Sequence, residues 1–335
     1  MARSADSKPF FGVRGGWLVF WITVACGADM LMSGYDQGVF SRATLSDDFL
    51  DKLHLRGRTT IISAINAIYA IGCFVGSLIA FAMGECLGRK KSIYIGTTVI
   101  CVGVILTSAT FSLVQLFVGR IVLGIGNGIN TATAPVWQIE TSPAQWRGKL
   151  VMLEMSLHVA GFTMVNWVNF GVAHIDGGFA WRFPLALQFI FIVIIYATVW
   201  WLPESPRWLA QHNRLDEANL VLSCLENKGI EDTCVLTQME EIQDSVQHER
   251  DHAIRWRDLV KTQKHEGTKL LRRLILGAAA QFIQQIEGVN IISYYLPSVL
   301  IEQVGLSNHT AHLVTWINAF TYFVFSSVSI PLVER

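Results

Sequence analysis

GRIVLGIGNGINTATAPVWQIETSPAQWRG, Gly119 to Gly148, sets an arginine and a run of glycines into an apolar stretch and then turns polar around Pro143. The apolar part, Val114 to Pro135, is long enough for a bilayer core, which needs about 20 mostly apolar residues. Arg120 lies inside it. A charge there costs about 2.5 to 3.5 kcal/mol on insertion scales, so it is expected to face a cavity or a partner. Gly119, Gly124, Gly126 and Gly128 read as small-residue packing between helices, and Gly72 with Gly76 forms a GxxxG in another apolar run.

The rest of the chain has the same character. It is 52% hydrophobic and only 16% charged over 335 residues, with a mean hydropathy of +0.40. Its charges cluster between long apolar runs, the distribution of a polytopic all-α membrane protein. A formal net charge of zero supplies no basic field for nucleic acid.

Eight segments qualify as spans: Trp17 to Phe40, Thr60 to Met83, Ser92 to Phe111, Val114 to Pro135, Leu150 to Gly171, Arg182 to Leu202, Leu274 to Pro297 and Ala311 to Val333. The first lacks the short core and small-residue cleavage site of a signal peptide. Between the sixth and seventh, Pro203 to Arg273 is polar, with an amphipathic pattern over Leu215 to Leu225 that puts Ala218, Leu222 and Leu225 on one face. With the N-terminus inside, the short inner segments hold nine Lys and Arg against five outside. That bias predicts a cytosolic N-terminus. It also puts the sequon Asn308-His309-Thr310 outside. Cys26, Cys73 and Cys101 fall in apolar runs, and Cys86, Cys224 and Cys234 in inner segments, so no disulfide framework is implied.

Asp29 and Asp36 lie within the first span, seven residues apart, and so share a helix face. Two readings stand for Asp36 and Arg120. One is a structural pair that locks helices together; the other is a protonatable carboxylate held by arginine until protonation releases it.

His248-Glu249-Arg250-Asp251-His252 matches HExxH, which on a helix puts two zinc ligands on one face beside a glutamate base. Ala253 to Asp258 offers neither Gly nor His for the usual continuation, and Glu266 is the sole downstream carboxylate at a roughly suitable distance. The segment reads as a solvated charged helix, with a metalloprotease as a minor alternative. Neither an enzyme, a metal nor a cofactor is expected.

In the seventh span, Gln281, Gln284, Gln285 and Gly288 fall within about 100 degrees of one another on an ideal helix, whereas Asn290 lies about 140 degrees from Gln285. No straight helix aims these amides at one ligand. A break near Gly288, as in discontinuous transporter helices, would let Gln284, Gln285 and Asn290 converge.

The opening stretch, together with PESPRWL (Pro203 to Leu209) and QQIEGVN followed by SYY in the seventh span, closely resembles the sugar porter family of the major facilitator superfamily, particularly its fungal members. GYDQGVF (Gly34 to Phe40) and GRKK (Gly88 to Lys91) fit as well. The resemblance implies a major facilitator fold: an N-terminal six-helix bundle over residues 1–202, a cytosolic helical linker over 203–273 and a partial C-terminal bundle over 274–335. It implies a multi-pass protein, in the plasma membrane, that carries a sugar or polyol by alternating access. Proton symport would run through Asp36 and Arg120. Sugar ligands would be Gln284, Gln285, Asn290, Tyr294, Tyr295 and Asn318, where amides suit hydroxyls because they donate and accept. An intracellular gate would form from Glu140 with Arg147, Glu204 with Arg207, and Arg89.

The chain departs from the family in several places. Glu85-Cys86-Leu87-Gly88-Arg89-Lys90 keeps the loop motif's acid but lacks one arginine. Met155 stands where many hexose carriers place a sugar-binding glutamine, and His158, three residues on, could substitute. Glu287 is an acid where the family usually has none. The sequence ends at Pro331 to Arg335 after eight spans, and Glu334-Arg335 looks like the opening of a second copy of the loop motif, so a C-terminally truncated carrier is expected. The alternative is a non-transporting form: a sensor, a dominant partner of intact carriers or a nonfunctional remnant.

Overall fold

The computed structural model describes residues 9–44, 46–172, 175, 177–251 and 265–332. Among them the architecture is all helical. The long apolar runs become α1 (Gly16–Ala43), α3 (Thr59–Leu87), α4 (Arg89–Ser108), α5 (Leu113–Thr141) and α6 (Arg147–Gly171), with the short α2 (Asp47–Lys52) after α1. The sixth run forms α7 (Phe179–Leu187) and α8 (Phe189–Val199), separated by Gln188. Starts are set by ordinary capping chemistry: Ser112 Oγ accepts from the Gln115 amide at the head of α5.

α5 is the axis of this half of the molecule. It packs between α3 and α4, while α1 packs along α6 and α8. Close approach follows from the glycines: a Cβ on Gly72 would lie 2.7 Å from the Ile121 carbonyl and 3.1 Å from the Gly124 Cα. No other residue fits that crossing without moving backbone.

The polar connection folds as α9 (Pro206–Gln211), α10 (Leu215–Glu226) and α11 (Thr233–Asp251). As the pattern predicts, α10 buries Ala218, Leu222 and Leu225. The last part of the chain comprises α12 (His265–Ile286), α13 (Val289–Glu302) and α14 (Asn308–Ser329). α14 docks on α6 through Thr163 Oγ1 to the Ala319 carbonyl at 3.0 Å, Ser156 Oγ to the Ser326 carbonyl at 3.2 Å and an edge-on Trp167–Trp316 contact.

Seven helical segments among the described residues are long and apolar enough to cross a membrane, against the eight read from sequence. The difference is Leu274 to Pro297. That run is split at Gly288, which caps α13 at φ +75°, so it is two shorter helices rather than one straight span. The Gly288 amide bonds the Gln285 carbonyl at 3.2 Å, a tight turn at the end of α12. Left-handed backbone is what glycine adopts without a Cβ penalty.

Candidate functional site

Arg120 and Asp36 meet in the interior of the α1–α5 contact. Both side chains are buried, and Arg120 Nη1 lies 3.6 Å from Asp36 Oδ1. Insertion of a charge into this setting demands compensation, and it comes from several sides. Arg120 sits over the faces of Phe40 and Tyr69, at 4.3 and 4.9 Å from their ring centroids. Its Nη2 donates to Asn66 Oδ1 at 3.3 Å. The same Asp36 Oδ1 accepts from Gln188 Nε2 at 3.0 Å. Asp36 also has the Tyr69 hydroxyl as a hydrogen-bonding neighbour, while Arg120 Nε has no hydrogen-bond partner.

Asn66 extends this cluster across the molecule. Its Nδ2 donates to the Tyr295 hydroxyl at 3.1 Å, so α3 ties the buried ion pair to α13. Of the expected sugar ligands, Tyr295 is half-buried, and Gln284, Gln285 and Asn318 are exposed. The side chains of Asn290 and Tyr294 lie outside the described residues. The break at Gly288 exists as the amide spacing requires. Met155 is exposed, and His158 Nε2 lies 3.1 Å from Gln37 Oε1, which links α6 to α1. Glu287 is exposed at the turn.

At one end of the bundle the expected gate residues gather, but with different partners from those their motifs pair. Arg89 makes the fork, Nε and Nη2 each 2.9 Å from the two Glu140 oxygens, and its Nη1 donates to the Gly84 carbonyl. Glu204 accepts from the Arg89 amide at 3.0 Å and from the Lys90 amide, at the N-terminus of α4, where backbone donors are free. Burial pushes the Glu204 carboxyl above its ordinary range, against the pull of those amides, the Ser205 amide and the Arg89 charge. Gly88 makes this possible: its φ is +91°, and a Cβ there would stand 2.5 Å from Glu204 Oε2.

Arg147, expected on Glu140, instead donates through Nε to the Ser142 carbonyl at 3.2 Å. Arg207, expected on Glu204, pairs with Glu249. The reason is geometric: Glu140 and Glu204 both face the head of α4, so the residue that starts that helix takes them. Glu249 is also the central acid of the HExxH string; His252 and the side chain of Glu266 lie outside the described residues. Among the described residues no group of three His, Cys, Asp or Glu could hold a metal.

Sequence reasoning missed Gln188 and Glu154. Gln188 is the lone strongly polar side chain between Leu185 and Val199, a signal that was available. Glu154 is an acid within a span, buried to 0% exposure.

A family model described as Sugar (and other) transporter matches residues 21–335. The chain is 55% identical over 332 residues to the MFS-type transporter oryC of Aspergillus oryzae, covering 98% of this chain and 62% of that one. It is 31% identical over 337 residues to the sugar transporter STL1 of Saccharomyces cerevisiae, covering 97% and 59%. It thus spans about three-fifths of the length of these relatives. The solved proton:xylose symporter XylE bound to 6-bromo-6-deoxy-D-glucose superposes with a TM-score of 0.81 at 24% identity, over 95% of this chain and 69% of that one. That likeness shows the major facilitator fold.

Proposed function

The chain belongs to the sugar (and other) transporter family, and from that premise we propose that this multi-pass membrane protein carries a sugar or polyol by alternating access in symport with a proton. The observation that carries the reading is the continuous line Asp36, Arg120, Asn66, Tyr295. One end of the line is an acid able to take a proton; the other is a hydroxyl at the broken helix where the substrate would lie.

Protonation of Asp36 removes the charge that holds Arg120. The guanidinium then turns to its remaining acceptor, Asn66, and that side chain is the one that fixes Tyr295. Proton binding and substrate binding are thereby linked through two hydrogen bonds, with no need for a longer route. Gln284, Gln285, Asn290, Tyr294, Tyr295 and Asn318 contribute the sugar ligands. Arg89, Glu140 and Glu204 close the inner face in the outward-facing state, with Arg147 and Arg207 bracing the flanking helices. Residues 1–202 form the N-terminal six-helix bundle, 203–273 the cytosolic linker and 274–335 the part of the C-terminal bundle present here, in a plasma-membrane protein with its N-terminus in the cytosol.

Labelled-sugar and labelled-polyol uptake in a carrier-deficient host tests this reading. Uptake that collapses when the proton gradient is dissipated is expected; a correctly localised protein that takes up neither class would overturn it.

A further inference from the structure

Asp29 lies about 10 Å along α1 from Asp36, at 1.5 Å rise per residue, and is fully buried. Its Oδ1 accepts from Asn130 Nδ2 at 2.7 Å, and that nitrogen also donates to Thr97 Oγ1 at 3.0 Å. Its Oδ2 has no partner. Within Coulombic reach is Glu154 of α6, also fully buried, neither of whose oxygens is hydrogen-bonded. Cys26 is near both acids, and its thiol donates to the Ala134 carbonyl at 3.6 Å.

The cations and histidines on the surrounding elements are engaged elsewhere. On α5, Arg120 serves Asp36 and Asn66. On α6, His158 meets Gln37, and Lys149 lies over the Trp146 ring. α4 offers Thr97 at this level, with Arg89, Lys90 and Lys91 at its far head. Arg182 of α7 donates to the Thr110 carbonyl. α8 carries no Asp, Glu, Lys, Arg or His. The acids of α10 (Asp216, Glu217, Glu226) and of α13 (Glu302) stand at the helix ends, and His309 and His312 in the first turns of α14.

Two ionised carboxylates here would therefore share a single donor, Asn130. An uncompensated buried charge is among the costliest arrangements in a protein interior, and like charges in one site do not both ionise. One bound proton removes one of the two charges, leaving a single carboxylate to be held by the single donor. The Asn130 bond decides which acid takes it, because an amide N–H favours the charged form of its acceptor, Asp29, while Glu154 has no donor at all.

We propose that Asp29 and Glu154 form a proton-binding site separate from Asp36 and Arg120, in which one proton is held as an O–H on Glu154 while Asp29 keeps its charge under Asn130. The proton comes from water, and binding forms one O–H bond and cancels one negative charge. The site holds whether or not Asp36 couples transport.

Infrared spectroscopy of the full chain in lipid vesicles near neutral pH tests it. A protonated-carboxyl C=O band that shifts on exchange into D2O is expected in the wild type. It should persist in Asp36→Asn, vanish in Glu154→Gln and move in Asp29→Asn. A wild type without the band, or a band that Glu154→Gln leaves in place, overturns the proposal. If Glu154→Gln fails to fold, Asp29→Asn decides: a displaced band supports the pair, and an unmoved one overturns it.

Discussion

Among the described residues, two arginine–carboxylate pairs are built in opposite ways, one partly buried at the rim and one fully buried in the bundle. Arg89 and Glu140 form a two-bond fork at 2.9 Å, with the spare arginine nitrogen on a carbonyl. Arg120 and Asp36 meet at 3.6 Å without a fork, and Arg120 Nε is left unbonded. The difference follows from what each arginine has to serve. Arg89 begins α4 and meets Glu140 of α5 and Glu204 of the connection before α9 at the rim, where its bonds can be satisfied together. Arg120 is deep in the bundle, and its charge is spread over one carboxylate, one amide and two aromatic faces. A saturated fork resists opening; an under-bonded pair releases on the arrival of one proton.

The sharpest way to break this contrast is to remove one partner from the deep pair. Arg120→Met leaves Asp36 uncompensated and is expected to cost about 3 to 5 kcal/mol of folded-state stability. Asp36→Asn/Arg120→Met should recover most of that, read as thermal unfolding in detergent. Asp36→Asn alone is expected to abolish accumulation against a gradient while leaving exchange, and an unchanged pH dependence of uptake would remove Asp36 from coupling. Next in size is the rim. Arg89→Ala leaves Glu140 short of its donors and should cost about 1 to 3 kcal/mol. Arg89→Lys should recover part of it at most, because an ammonium cannot make the fork. A larger loss at Arg89 than at Arg120 would reverse the comparison. Gly88→Ala strains a left-handed backbone and pushes on Glu204 Oε2, at about 1 to 2 kcal/mol; wild-type stability in that variant would show that the Glu204 seat is soft.

Much of this was readable from the chain because charges inside apolar runs are expensive. Arg120 and Asp36 advertise a buried site by their position alone, and the amide periodicity around Gly288 announces a break because no straight helix can use it. The gate partners were not readable. Glu140 and Arg147 are seven apart in sequence and Glu204 and Arg207 three, yet both acids turn to Arg89, since which cation they meet depends on where α4 begins in space. Gln188 and Glu154 escaped for a related reason. Each is a polar residue within a run long enough to span, and only the tertiary fold says whether it faces lipid, a cavity or another acid.

The smallest expected effect tests the link between the deep pair and the substrate half. Tyr295→Phe keeps the ring and removes only the hydroxyl that Asn66 Nδ2 bonds at 3.1 Å. One net hydrogen bond is worth about 0.5 to 1.5 kcal/mol, so KM should rise by roughly 2- to 13-fold at RT of 0.59 kcal/mol. Asn66→Ala removes the same bond from the other side, and also the Arg120 Nη2 acceptor. It should therefore raise KM as Tyr295→Phe does and, in addition, shift the pH dependence of uptake, which Tyr295→Phe should leave in place. If Tyr295 acted on the sugar alone, Asn66→Ala would leave KM unchanged, and the proposed line from proton to substrate would be cut at its middle residue.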